Sequence, residues 1–350
     1  MKIAVELTSI LQVLFALSLL KKLGNPEEDL SIDFIYLNNH VNDNTIQSTK
    51  NIISKFNFNS SYIDYRNNNS SNVIKNKVKY DLLIVRSRVP LVSHQKFIFS
   101  RAYFALTGNC DNAKLVLNNF TYNKLYTVDD GLSNWGTPKV NYIRTILSTI
   151  NAKAFFINKI SLLPMPFNLI MNSNKFVSHY SIFSKLSKFS IKNEFSTLVK
   201  NLSKHYKKNT EVENLFIGIW PDFKNRLLKN NADEQFDCFS NHLIKSNELS
   251  ANQKIFIKDH PKHSLDIVSS KYFIFERLEQ EYIDTPLEVI LGCFPNLKNI
   301  YGFPSTSLFL VDIISKNKIS INLFVKNDDL RYFSERADLF KSKNVRKIYI

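Results

Sequence analysis

Glycine is scarce in this sequence, seven residues in 350, and cysteine is scarcer still at three. Cys110, Cys238 and Cys293 stand far apart, are odd in number and show no CxxC spacing, which argues against a disulfide framework and against a structural zinc site. A reducing cytoplasm is the compartment expected of such a chain. Long apolar runs are also missing: the longest early one, Ile10 to Leu20, is too short to span a bilayer and is interrupted by Gln12 and Ser18. The opening lacks the charged start and small-residue cleavage site of a secretory signal, because Lys2 is followed at once by IAVEL. Neither export nor a transmembrane anchor is expected. No repeat recurs at a solenoid period, and no helix-turn-helix, RRM or KH signature is present, so nucleic acid is not the expected partner. Acidic residues are outnumbered, 31 against 46 Lys and Arg, and the net charge of +15 favours acidic glycans or the anionic face of a membrane. A basic surface of this kind would hold a cytoplasmic protein peripherally on the inner face of the cytoplasmic membrane.

What is present is a globular chain. Its length suits two domains, and a hydrophobic content of 44% is enough for two buried cores. KIAVEL reads as a strand, Thr8 as the N-cap of the apolar-periodic helix SILQVLFALSLLKKL, and Gly24 and Pro26 as its stop. Further strands are predicted at 32–37, 81–85, 114–117 and 126–128. A polar, lysine-rich passage, Lys185 to Asn214, marks a domain boundary or an exposed connecting helix. A second series of strands follows at 215–219, 254–260, 272–276, 299–303 and 320–324. Strands alternating with helices imply parallel sheets covered on both faces, hence an α/β fold. We expect an N-terminal domain over 1–205, a C-terminal domain over 206–330, and a last segment, 331–350, able to pack back on the N-terminal domain. In open α/β sheets ligands sit at the carboxyl ends of strands, so the residues just after the strands are where chemistry belongs.

Three strand ends carry candidate groups. Asp129, Asp130 and Gly131 follow the strand at 126–128. Asp-Gly is an ordinary way to reach positive φ, yet two adjacent carboxylates raise one another's pKa and make a general base thinkable. Lys258 and His260 close the next strand, with Pro261 behind them. Proline restricts its own φ and the residue before it, so the imidazole is held, fit to donate to a phosphate or to act as an acid near neutral pH; capping a strand is the plainer alternative. His263 has no Cys or carboxylate spaced to complete a metal site. In YGFPSTSLFLVDII a helix begins after Pro304, with Ser305, Thr306 and Ser307 at the end where first-turn amides are free. That is a phosphate-binding arrangement without a Walker loop, although one hydroxyl alone would serve as an N-cap. In DTPLEVILGCFP, Pro286 stands near N1 and Glu288 lies in the first turn, where the helix dipole stabilises a carboxylate able to accept from both ribose hydroxyls of a nucleotide.

In this order, DDG at 129–131, HP at 260–261 and the Ser/Thr cluster at 305–307 resemble the three signatures of bacterial sialyltransferases, the group of lipooligosaccharide sialyltransferases and capsular polysialyltransferases. The opening VELTSILQVLFAL is similar to the strand and TS-x-LQ helix with which such enzymes begin. The cluster here is Ser-Thr-Ser rather than a plain pair of serines, which leaves open which hydroxyl meets a phosphate. The resemblance implies a GT-B fold: two Rossmann-like domains, the active site in the interdomain cleft, and CMP-sialic acid held mainly by the C-terminal domain. It implies inverting transfer to a glycan acceptor with no metal and no other cofactor. Asp130 would be the general base on the acceptor hydroxyl, with Asp129 positioning it or the acceptor and Gly131 completing the motif. His260, with Pro261, would bind the CMP phosphate and assist its departure. Ser305 and Thr306, with Ser307 beside them, would hold that phosphate, Glu288 would contact the ribose, Lys258 would add positive charge, and Trp220 would border the sugar or acceptor. Alternatives of the same fold are a capsular polysialyltransferase elongating polysialic acid and a CMP-Kdo-type transferase. From another class, a nucleic-acid-binding protein would explain the charge and the 13% aromatic content, but not the motifs at strand ends.

Overall fold

The structure, a computed structural model of the 350-residue chain, describes residues 1–7, 9–24, 29–36, 43–64, 78–87, 120–129, 176–182, 189–218, 233–246, 253–260, 273–315, 318–325, 340 and 342–349. The chain divides into two compact units, Met1–Leu198 and Val199–Ile350.

In the first unit β1 (Lys2–Leu7), β2 (Ser31–Tyr36), β3 (Asn59–Asp64), β4 (Lys79–Ser87), β5 (Thr121–Asp129) and β6 (Phe176–Tyr180) form one sheet in the order β3-β2-β1-β4-β5-β6. All of its neighbouring strands run parallel. The middle strands are apolar along their length because such a sheet is covered on both faces. One cover is α1 (Ile10–Lys22), which buries Val13, Leu14, Phe15, Ala16, Leu17, Leu19 and Leu20. Ser18 is tolerated among them because its hydroxyl donates to the Leu14 carbonyl at 2.6 Å. The N-cap of α1 is Ser9, with an extended backbone, and not the expected Thr8, which lies outside the described residues. Its end is as expected: Gly24 takes φ +74° just past the C-cap Leu23. Among the described residues of this half the other helices are α2 (Asp43–Ile53) and the start of α3 (Lys192–Ser203).

The second sheet contains β7 (Asn214–Ile217), β8 (Lys254–Lys258), β9 (Ile274–Arg277), β10 (Asn299–Gly302), β11 (Ser320–Val325) and β12 (Val345–Tyr349), in the order β12-β11-β10-β7-β8-β9. It too is parallel throughout its described ladders. Counted from its own first strand and read from the other edge, its order is the same as that of the first sheet. This is the doubly wound order of Rossmann folds, 3-2-1-4-5-6. The expected α/β chain of two Rossmann-like domains, the pair from which GT-B chains are composed, is therefore what the sequence forms. Aromatic rings fill the second core: Phe239 of α4 (Asp233–Ser246) stacks on Phe216 of β7 with centroids 4.3 Å apart, and Tyr301 and Phe324 close around it.

Two boundaries differ from expectation. The division into units falls between Leu198 and Val199, inside α3, and this helix is not an exposed connector. It buries Phe195, Leu198, Val199 and Leu202, an apolar stripe hidden in the sequence among lysines, serines and asparagines. The described part of the last segment forms a strand of the second unit: β12 pairs with β11 from Ile321↔Val345 to Val325↔Tyr349. The open edge of β11 would otherwise leave a row of amide and carbonyl groups unpaired. No described helix is long and apolar enough to cross a membrane.

Candidate functional site

The second sheet reverses its strand order between β7 and β10, and in doubly wound folds ligands bind in the crevice outside the carboxyl ends at that point. β10, β7 and β8 are neighbours there, and their carboxyl ends lie at one edge because all three are parallel. At the end of β10, Gly302 leaves little room for a side chain. A Cβ would lie 3.1 Å from both the Ile217 carbonyl oxygen and Leu308 Cδ1. The missing side chain lets Leu308 of α7 (Thr306–Ser315) pack against the end of β10, and the amide-bearing tip of α7 follows that strand at the reversal.

Three motif residues gather around that tip. Ser305 caps the helix: its Oγ accepts from the Leu308 amide at 3.3 Å, and its carbonyl accepts from the Phe309 amide at 3.1 Å. The Ser307 hydroxyl lies near enough to the carboxyl group of Glu288 to pull its pKa down. Glu288 belongs to α6 (Leu287–Ile290), which follows α5 (Gln280–Asp284) after a break, and it is only 2% exposed. Burial pushes its pKa above the usual carboxylate range, while its own amide, Ser307 and the charge of Lys258 pull the other way. Its Oε1 has no hydrogen-bond partner among the described residues.

Lys258, the last residue of β8, is 5% exposed. Its Nζ donates to the carbonyls of Tyr282 at 2.7 Å and Ile283 at 2.6 Å. Burial pushes this ammonium down to about 7, opposed by the carboxylates of Glu288, Asp284 and Asp259. The expected role of Lys258 was to add charge to a bound phosphate; in the structure two of its donors are directed inward at backbone carbonyls. Asp259, also buried, accepts from Arg277 Nε at 2.9 Å. His260 follows, half-buried, at the same edge. Pro261 and Trp220 lie outside the described residues.

In the first unit Asp129 is the final residue of β5 and not the first residue beyond the strand. Its side chain is wholly buried, and Oδ2 accepts from Ser181 Oγ at 2.9 Å and from the Ile182 amide at 2.8 Å. That binds the end of β5 to the chain leaving β6. Asp130 and Gly131 lie outside the described residues. Two buried polar side chains not singled out from the sequence, Glu6 and Gln12, lie at the carboxyl end of β1 and in the first turn of α1. Here the first sheet reverses, between β1 and β4. A carboxylate inside the apolar strand KIAVEL is the signal that marks them.

No protein-family model matches the chain, and no curated protein sequence matches it. Among solved structures, Escherichia coli heptosyltransferase WaaC with ADP aligns with a TM-score of 0.42 and 10% identity, covering 100% of this chain and 93% of that one. The same enzyme with ADP-2-deoxy-2-fluoro heptose gives 0.43 and 10%, over 99% and 93%. Escherichia coli ADP-heptose LPS heptosyltransferase II gives 0.35 and 9%, over 99% and 90%. Likeness of this degree carries no information about a donor or an acceptor.

Proposed function

We propose that this chain is a glycosyltransferase that moves sialic acid from CMP-sialic acid to a hydroxyl of a bacterial surface glycan, with inversion and without a metal. The observation that supports this best is the meeting of Glu288 with Ser307 at the tip of α7, beside the reversal of the second sheet. Two separate motifs singled these residues out, and the fold joins them at the edge where a nucleotide would rest. His260 leaves β8 at the same edge.

The chemistry asks for little nucleophilic push, because the sugar carries its own carboxylate beside the anomeric carbon and the transition state resembles an oxocarbenium ion. Asp130 would remove the acceptor proton while His260 and the α7 amides stabilise the departing phosphate. Glu288 would receive the ribose hydroxyls, with Oε1 as the available acceptor. Ser305 already caps α7 and Ser307 lies beside Glu288, so the α7 amides would be the groups directed at phosphate.

Thermal stabilisation by CMP, compared with ADP, UDP, GDP and an oligonucleotide, tests the donor. CMP is expected to raise the unfolding temperature most, and labelled CMP-sialic acid is expected to yield labelled glycan. Preference for ADP, the nucleotide bound to the heptosyltransferase above, would overturn the assignment.

A further inference from the structure

We propose that Lys258 is a positioning residue: its buried ammonium stands in for two amide donors that Pro286 takes out of the helix, and by holding that break it sets the turn that carries Glu288. In an uninterrupted helix the carbonyls of Tyr282 and Ile283 would accept from the amides of residues 286 and 287. Pro286 has no amide hydrogen and drives the residue before it out of the helical region. Thr285 accordingly has φ −96° and ψ 139°, and Pro286 has ψ 139°, which turns the Leu287 amide away from α5. Two buried carbonyls would be left without donors, and Lys258 Nζ supplies both at 2.7 and 2.6 Å. The preceding carbonyl, that of Glu281, is taken by Thr285 Oγ1 at 2.7 Å. α6 then closes on the Pro286 carbonyl through the amides of Val289 and Ile290, at 3.0 and 3.2 Å. Glu288 lies in that turn. One side chain thus ties the strand that delivers His260 to the end of α5, just ahead of the turn that carries Glu288.

The inference rests on the nucleotide-binding reading for what the site holds, and cytidine separates its failure from the failure of that reading. Lys258→Met fills a similar volume without donors. It is expected to weaken cytidine and CMP by the same factor, about ten-fold, because loss of a buried donor pair displaces Glu288 and leaves the phosphate end alone. In a chain already carrying Glu288→Gln it is expected to do no further harm to binding. Lys258→Gln, which keeps two N–H donors without the charge, is expected to recover part of the affinity, and it replaces the Met variant should that one not fold. A lysine that met the phosphate would weaken CMP and leave cytidine unchanged. A lysine serving the fold alone would lower the unfolding temperature and leave the cytidine affinity of the folded chain intact. Either outcome overturns the proposal. If the wild-type chain binds neither cytidine nor CMP, the functional reading fails, and amide hydrogen exchange over 282–290 decides the clamp: unchanged exchange in Lys258→Met rejects it.

Discussion

The two units share one strand order and treat a buried charge at a strand end in opposite ways. In the first, the carboxylate of Asp129 ends β5 and gathers donors, the Ser181 hydroxyl and the Ile182 amide. In the second, the ammonium of Lys258 ends β8 and gathers acceptors, the carbonyls of Tyr282 and Ile283. Each charge is turned inward onto the backbone of the neighbouring connection. Asp129 stands one residue ahead of Asp130 and Lys258 two residues ahead of His260, the residues that the sialyltransferase resemblance makes catalytic. The lesson is that a buried charge, satisfied by the backbone of the next connection, fixes where each of these strands ends.

The sharpest way to break that comparison is to exchange the roles of the two aspartates. Asp130→Ala is expected to lower transfer by about 10²–10⁴-fold, the usual worth of one general base, with the unfolding temperature unchanged. Asp129→Ala is expected to destabilise the chain by about 2–4 kcal/mol, since it strands a buried amide and a hydroxyl. Urea unfolding and labelled transfer measured on both variants decide it. A stable Asp129→Ala chain beside an unfolded Asp130→Ala chain would refute the division of labour.

The interior of each sheet was legible from the sequence, and most of the edges were not. The predicted strands at 32–37, 81–85, 215–219, 254–260, 299–303 and 320–324 became β2, β4, β7, β8, β10 and β11, each within a few residues, and that at 126–128 is the last part of β5, which begins at Thr121. They read as continuous apolar runs because both their faces are covered. β3, β6 and β12 went unseen, and all three are edge strands. NSSYID and VRKIY carry the polar and charged side chains that keep an open edge from pairing further. The strand predicted at 114–117 lies outside the described residues. Of the candidate site, Glu288 and Ser307 were legible singly, through Pro286 and Pro304, which announce helix starts. Their contact was not, because it joins helices from two separate connections. The role of Lys258 was hidden for the same reason: the sequence shows the charge, and only the fold shows which carbonyls Pro286 leaves without donors.

A second test isolates the charge in the second unit. Burial lowers Lys258 from its ordinary 10.5 to about 7 in the folded chain. Between those values the unfolded chain binds a proton that the folded chain does not, so this group makes stability rise with pH, by up to about 1.4 kcal/mol per pH unit. Below about 7 both states are protonated and the unfavourable contribution is constant. Glu288 acts in the opposite sense at lower pH: its raised folded pKa makes stability fall as pH climbs above the ordinary carboxylate value. Urea midpoints of wild type and Lys258→Met are therefore expected to diverge between pH 7 and 9, with the wild type gaining. Parallel curves across that range would show that the ammonium keeps its ordinary pKa.

The smallest effects come from two glycines that serve the units differently. Gly302→Ala places a methyl group 3.1 Å from the Ile217 carbonyl oxygen and from Leu308 Cδ1. The carbonyl is held where β7 pairs with β10, so Leu308, in the first turn of α7, must give by a few tenths of an ångström, at about 1–2 kcal/mol. Gly24→Ala meets nothing within 4 Å, and its cost, about 1 kcal/mol, comes from φ +74° alone. Both variants should lower the unfolding temperature by similar small amounts. Only Gly302→Ala is expected to weaken CMP as well, because only there does the added methyl group displace the tip of a helix at the point where a sheet reverses. Equal CMP affinity in the two variants would mean that the tip of α7 does not touch the nucleotide.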